Sequence, residues 1–276
     1  MKKLVLFVWL ISLTGCGSGS TPSNTNPPPP ISATNPSFVQ AVSALCNTGG
    51  TGPQCSNTFS FTITTKPGNA ILVPLWFNAL NVNVQVSDSN NDAFALWGTV
   101  PTADLNDSPA FLYAARNVVG GAVTINLSFS CGQSPCNPQS GVPASVFAGA
   151  LEYQGITQGV DASVTSGSLL TQQTQGQQID SGTFTTHLND ELAFGIGMAD
   201  FGLQSGSGWT ARLGCNPSKT ATSYNSGYFC FEEQSALQIG SFDATFVTDF
   251  SSAGGLGGPP SPTAPNGYGI SALSIY

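Results

Sequence analysis

The chain has 276 residues, only 7% of them charged, and fourteen acids against six bases give a formal net charge of −8. Lys2 and Lys3 sit at the N-terminus, and the other bases (Lys66, Arg116, Arg212 and Lys219) are scattered. A phosphate backbone demands clustered Lys and Arg, so composition excludes nucleic acid as a partner, and with it direct attraction to anionic lipid heads.

In chain order, Lys2 and Lys3 precede an apolar run over residues 4–13, which ends in Leu13-Thr14-Gly15-Cys16. A charged start, a short apolar stretch and a small-residue site have the layout of an export signal. The run is shorter than the ~20 residues a spanning helix needs. Residues 17–36 pass from Gly and Ser through Asn and Thr to four prolines at 27–30. Such a stretch is flexible, then stiff where polyproline II is favoured, and reads as a tether.

Leu13-Thr14-Gly15-Cys16 resembles the lipobox of bacterial lipoproteins. The resemblance implies cleavage before Cys16 and acylation of its thiol, palmitate included, and of its new amino group. Several acyl chains anchor stably where one binds marginally. Gly17, rather than Asp, implies sorting to the outer membrane in a Gram-negative cell. The expectation is a signal peptide over 1–15, a lipidated tether over 16–36, and one folded domain over 37–276. An ordinary secretory signal carrying a chance Cys is the alternative.

From Phe38 onward no helical periodicity emerges, and turn residues cut the chain about every ten positions. Residues 57–65 alternate, with Phe59, Phe61 and Ile63 on one face. Residues 70–77 are almost wholly apolar, which predicts a strand covered on both faces. Further strands are predicted over 82–86, 93–97, 110–116, 122–130, 145–153, 179–186, 191–199, 209–213, 223–233, 242–248 and 268–276. Many short strands at this spacing make an all-β antiparallel sandwich, jelly-roll or concanavalin-like.

Of seven cysteines, Cys16 is committed to lipid, and an even number remains for disulfides in an exported chain. Connectivity does not follow from sequence alone, but the six fall into local couples: Cys46–Cys55, Cys131–Cys136 and Cys215–Cys230. A Cys₄ zinc site is the competing reading.

An internal echo runs through the chain. Gly68-Asn69-Ala70-Ile71-Leu72 opens an apolar strand and is followed by Leu96-Trp97-Gly98-Thr99; Asn189-Asp190-Glu191-Leu192-Ala193 is followed by Gly206-Ser207-Gly208-Trp209-Thr210. Together with Glu152-Tyr153-Gln154-Gly155-Ile156 and Val160-Asp161, these units resemble a family of exported bacterial β-sandwich domains with a G-D-L-L-V strand, a G-W-T turn and a Y-x-G-V…D segment. The resemblance implies a β-sandwich and no catalytic residues.

Candidate sites are few. His187 is the chain's one histidine, in a turn, and no Gly-x-Ser-x-Gly motif is present. The glutamates are Glu152, Glu191, Glu232 and Glu233; the last two are adjacent and so face opposite ways on a strand. Asp88, Asn90 and Asp92 put oxygen donors at alternate positions, like half of a calcium loop; they also suit a hairpin turn for backbone reasons. No cofactor is expected, unless calcium occupies this turn. Trp97, Trp209, Tyr224 and Tyr228 follow polar turns or lie in Gly/Ser-rich surroundings, where they could stack on sugars or plug the ends of the sandwich. Trp76 and Phe77 are assigned to the core. The leading expectation is a non-enzymatic envelope lipoprotein binding a glycan or a protein. The alternatives are a carbohydrate-active hydrolase or lyase on a jelly roll, and a structural subunit of a surface assembly.

Overall fold

The computed structural model describes residues 35–48, 53–101, 110–132, 141–170, 174–199, 201–215, 229–236, 238–249 and 266–276. Among these the chain is all-β, with sixteen strands and no helix. The first eight are β1 (Ser37–Asn47), β2 (Thr58–Thr65), β3 (Ala70–Phe77), β4 (Val82–Asp88), β5 (Ala95–Val100), β6 (Ala110–Ala115), β7 (Gly121–Cys131) and β8 (Ser145–Gln154). The second eight are β9 (Val160–Leu170), β10 (Gln178–Thr185), β11 (Glu191–Ala199), β12 (Gly202–Ser205), β13 (Thr210–Leu213), β14 (Phe229–Ala236), β15 (Ser241–Asp249) and β16 (Asn266–Ile275).

The two sets repeat one topology. In the first, β1-β8-β3-β6-β5 form a large sheet and β2-β7-β4 a small one; in the second, β9-β16-β11-β14-β13 and β10-β15-β12 do the same. First strand pairs with last, second with seventh and third with sixth, all antiparallel. This is the wrapped pairing of a jelly roll. The expected all-β antiparallel sandwich is therefore present, but as two eight-stranded sandwiches within the compact unit Thr34–Tyr276.

Three apolar layers hold four sheets together. One cluster, including Ile71, Val73, Leu75, Val123, Ile125 and Leu127, fills the first sandwich. Another, including Phe201, Leu203, Phe246 and Ile270, fills the second. Between them the two large sheets meet face to face across Leu72, Trp76, Phe147, Leu151, Phe194, Ile196, Phe231 and Leu273. The large sheets are thus covered on both faces, which is why β3 and β11 read as continuous apolar runs and are buried end to end. Each large apolar side chain so buried contributes about 1.5–3 kcal/mol. Pairing of β3 with β8 is interrupted between Leu72 and Leu75, where Pro74 has no N–H to give.

The halves interdigitate through glycine. A Cβ at Gly149 on β8 would lie 2.3 Å from Leu213 Cδ2, and one at Gly98 on β5 would lie 2.9 Å from Leu273 Cδ2. Each leucine belongs to the other half and needs the room that only glycine leaves.

Three strands escape the sequence reading. β1 and β9 are edge strands of mixed, small-residue composition, and β12 has four residues. Edge strands need no alternating apolar face, so periodicity is silent there.

Candidate functional site

The four glutamates, the expected source of any catalytic pair, are each engaged in the fold. Glu152 is fully buried; its Oε1 accepts Lys66 N–H at 2.7 Å and Asn69 Nδ2 at 2.6 Å, and its Oε2 accepts Gln40 Nε2 at 2.6 Å. It holds the β2–β3 turn. Glu191 does the same for the β10–β11 turn, its Oε1 accepting Leu188 N–H at 2.7 Å and His187 N–H at 3.2 Å.

Glu232 lies in the second sandwich, where Oε2 accepts Gly206 N–H at 3.0 Å. Burial pushes its carboxyl up to about 8, against the opposing pull of the Gly206 and Thr245 amides. Glu233, on the other face of β14, accepts from Tyr153 Oη and Arg212 Nη2, and Arg212 stacks 3.9 Å from the Phe38 ring centre. Burial, then the Glu233 charge, drives the Tyr153 hydroxyl well above its ordinary range. Burial pulls Arg212 down, but Glu233 outweighs it and the guanidinium ends raised. Sequence reasoning missed this triad. The alternation of Glu232 and Glu233 was visible, but the partners come from β1, β8 and β13.

His187 is exposed, and its Nδ1 lies 2.8 Å from Asp161 Oδ2, which also accepts the His187 N–H at 3.0 Å.

The aromatic candidates separate. Trp209 is buried in the second core and its Nε1 donates to Asp243 O at 3.1 Å, so it plugs the sandwich and offers no ring face to a sugar. Trp97 is half-buried on β5 beside exposed Leu96 and packs on the layer between the halves. The echo pairs Trp97 with Trp209, but the register corrects this. Pairing shifts between Leu96 and Gly98, at Trp97, and between Ala211 and Leu213, at Arg212. Trp97 thus corresponds to Arg212, each the bulged residue of its hairpin. Tyr224 and Tyr228 lie outside the described residues.

The β4–β5 turn gathers the most unusual polar group. Asp88 is 6% exposed, and its Oδ1 accepts Asn90 N–H at 3.0 Å and Asp92 N–H at 2.9 Å. Asp92 Oδ1 accepts Val119 N–H at 3.1 Å, and Asn90 Nδ2 donates to Gly120 O at 3.1 Å. Asn91 takes a left-handed conformation, φ 61°, which lets the chain reverse. Asp88 Oδ2 and Asp92 Oδ2 are both buried and accept from no third residue among the described ones. Burial raises Asp92, the Val119 amide works against it, and a hydrogen bond with the Asp88 carboxyl and that carboxyl's charge add to the rise. Among the described residues no group of three His, Cys, Asp or Glu side chains gathers as a metal centre; what this turn offers is two carboxylates with Asn90 between them in sequence.

Cys46–Cys55 and Cys215–Cys230 are disulfides, as their spacing predicts. The third expected pair includes Cys136, which lies outside the described residues, as does Cys16.

No family model matches the chain, and no curated protein matches it. A solved crystal structure, of a protein from Eubacterium rectale provisionally described as secreted, aligns over 84% of this chain and 73% of its own, at 10% identity and a TM-score of 0.25.

Proposed function

We propose that the protein is an exported lipoprotein, held on the cell envelope through lipid on Cys16, whose tandem jelly-roll body is a binding module for an envelope glycan. The export signal ending in Cys16 and the tether over 17–36 support the anchor. The two disulfides support an oxidising destination. The observation that carries the non-enzymatic reading is the use made of the glutamates: each has an oxygen committed to backbone or side-chain donors that hold the fold. The Leu96–Trp97 edge of β5 supports the glycan, since a half-exposed indole beside an aliphatic side chain is a stacking platform.

Two measurements test this. Incorporation of labelled palmitate by the full chain, lost in Cys16→Ser, tests the anchor. Glycan-array binding by the full chain in detergent, reduced at least tenfold in Trp97→Ala with thermal stability retained, tests the module. An array with no binding turns the reading toward a protein ligand, and hydrolysis products from a bound polysaccharide overturn the non-enzymatic part.

A further inference from the structure

We propose that the β4–β5 turn is a calcium site, with Asp88 and Asp92 as its carboxylate ligands. The proposal is independent of the glycan reading.

Each carboxylate is aimed by its other oxygen. Oδ1 of Asp88 is fixed by the Asn90 and Asp92 amides, and Oδ1 of Asp92 by the Val119 amide. That leaves Oδ2 of each buried without an N–H or O–H donor from a third residue among the described ones, on carboxyls close enough to hydrogen-bond each other when one is protonated. Asp88 itself is more than nine-tenths buried. A buried charge without a partner costs several kcal/mol, so a carboxylate pair left this way calls for a counter-charge. The ion pairs found among the described residues are His187–Asp161 and Arg212–Glu233, and neither reaches this turn. Lys66 belongs to the β2–β3 turn, whose backbone packs on Gly120 beside the site, but its side chain is exposed and makes no ion pair there.

The second half supplies a control built into the molecule. Its equivalent turn, between β12 and β13, is Gly206-Ser207-Gly208-Trp209 and carries no acid. The second half thus makes the same crossing from small sheet to large sheet without carboxylates, in a turn two residues shorter. The donors are all oxygen, which selects a hard cation. Calcium takes six to eight oxygens with tolerant geometry, whereas magnesium demands a near-ideal octahedron. Two carboxylates with carbonyl or water making up the rest belong to the weak class, with Kd about 10⁻⁴–10⁻³ M, typical of extracellular modules.

The test is thermal unfolding of the full chain in detergent at neutral pH, chelated against calcium up to 10 mM, with terbium luminescence sensitised by the aromatic side chains as a second readout. At ten times Kd the midpoint rises by about 3–6 °C, with a smaller response to magnesium. Asp92→Asn keeps an acceptor for the Val119 amide, so it folds, and it loses both the shift and the luminescence. Asp161→Asn, an acid in the other half, keeps both. A wild-type protein indifferent to 10 mM calcium overturns the proposal and leaves a proton shared by the two carboxyls as the counter-charge. A shift that survives in Asp92→Asn also overturns it, because the ion then binds elsewhere.

Discussion

Glu232 and Glu233 are neighbours in the chain, yet their carboxyls lie on opposite faces of β14 and in different apolar layers. Glu232 meets the Gly206 amide inside the second sandwich, while Glu233 meets Tyr153 and Arg212 between the halves. Burial raises the carboxyl of the first, and the second pairs with Arg212.

Glu232 makes stability depend on pH with a defined sign. Its carboxyl is raised from 4.5 to about 8 in the fold, so between those values the native state holds a proton that the unfolded chain releases. Its contribution is present in full below the unfolded value and is lost as pH climbs through the window, at up to about 1.4 kcal/mol per unit. Urea midpoints of Glu232→Gln, compared with wild type at pH 5 and pH 8.5, are expected to converge at low pH and to favour the variant at high pH. A constant difference between the two would contradict this.

The Tyr153–Glu233–Arg212 triad predicts a different pattern. Removing one member leaves the others buried without a partner, so Glu233→Ala is expected to cost about 3 kcal/mol, and Tyr153→Phe about 1–3 kcal/mol. Replacing the ion pair together, as Glu233→Leu with Arg212→Met, is expected to recover most of the loss, because an apolar pair suits that layer. Chemical denaturation of the three variants checks the order.

Docking of the halves rests on Gly149 beneath Leu213. Gly149→Ala is expected to destabilise by about 1–3 kcal/mol through overpacking, and Leu213→Ala by about 2–5 kcal/mol through a cavity. The double variant should cost less than the sum, since the new methyl occupies space the leucine vacates. Additive costs would show that the two residues do not touch in solution.

The two disulfides close loops with sequence separations of 9 and 15. On loop entropy alone, replacing Cys46 and Cys55 by serine costs about 2.5 kcal/mol, and replacing Cys215 and Cys230 about 3 kcal/mol. Midpoints of the two serine variants, measured side by side, should fall in that order.

The fold was legible where burial was symmetrical. Residues 70–77 and 191–199 are apolar throughout because a layer covers each face, and their strands begin and end where the pattern does. The local disulfides Cys46–Cys55 and Cys215–Cys230 were legible because their partners are close in sequence. The second sandwich was audible only as an echo, since topology repeats while residues diverge: the bulge that holds Trp97 in one half holds Arg212 in the other. The acids of the β4–β5 turn could be read as a motif. That their outer oxygens are buried beyond the reach of any third residue's donor among the described ones depends on Val119 and Thr124, more than twenty-five residues away, which fasten the turn through Asp92 and Ser89.

Pairing of first strand with last sets the order in which this protein can be finished. As the chain folds, β1 must wait for β8, and β9 for β16, before either large sheet gains its outer strand. Such long closures are slow. When the first half is complete, it still bears Leu72, Trp76, Phe147 and Leu151 on a face that only the second half covers. A chain interrupted after Gln154 therefore lacks the residues that cover this layer, Phe194, Ile196, Phe231 and Leu273 among them, and leaves its apolar face to water or to another chain.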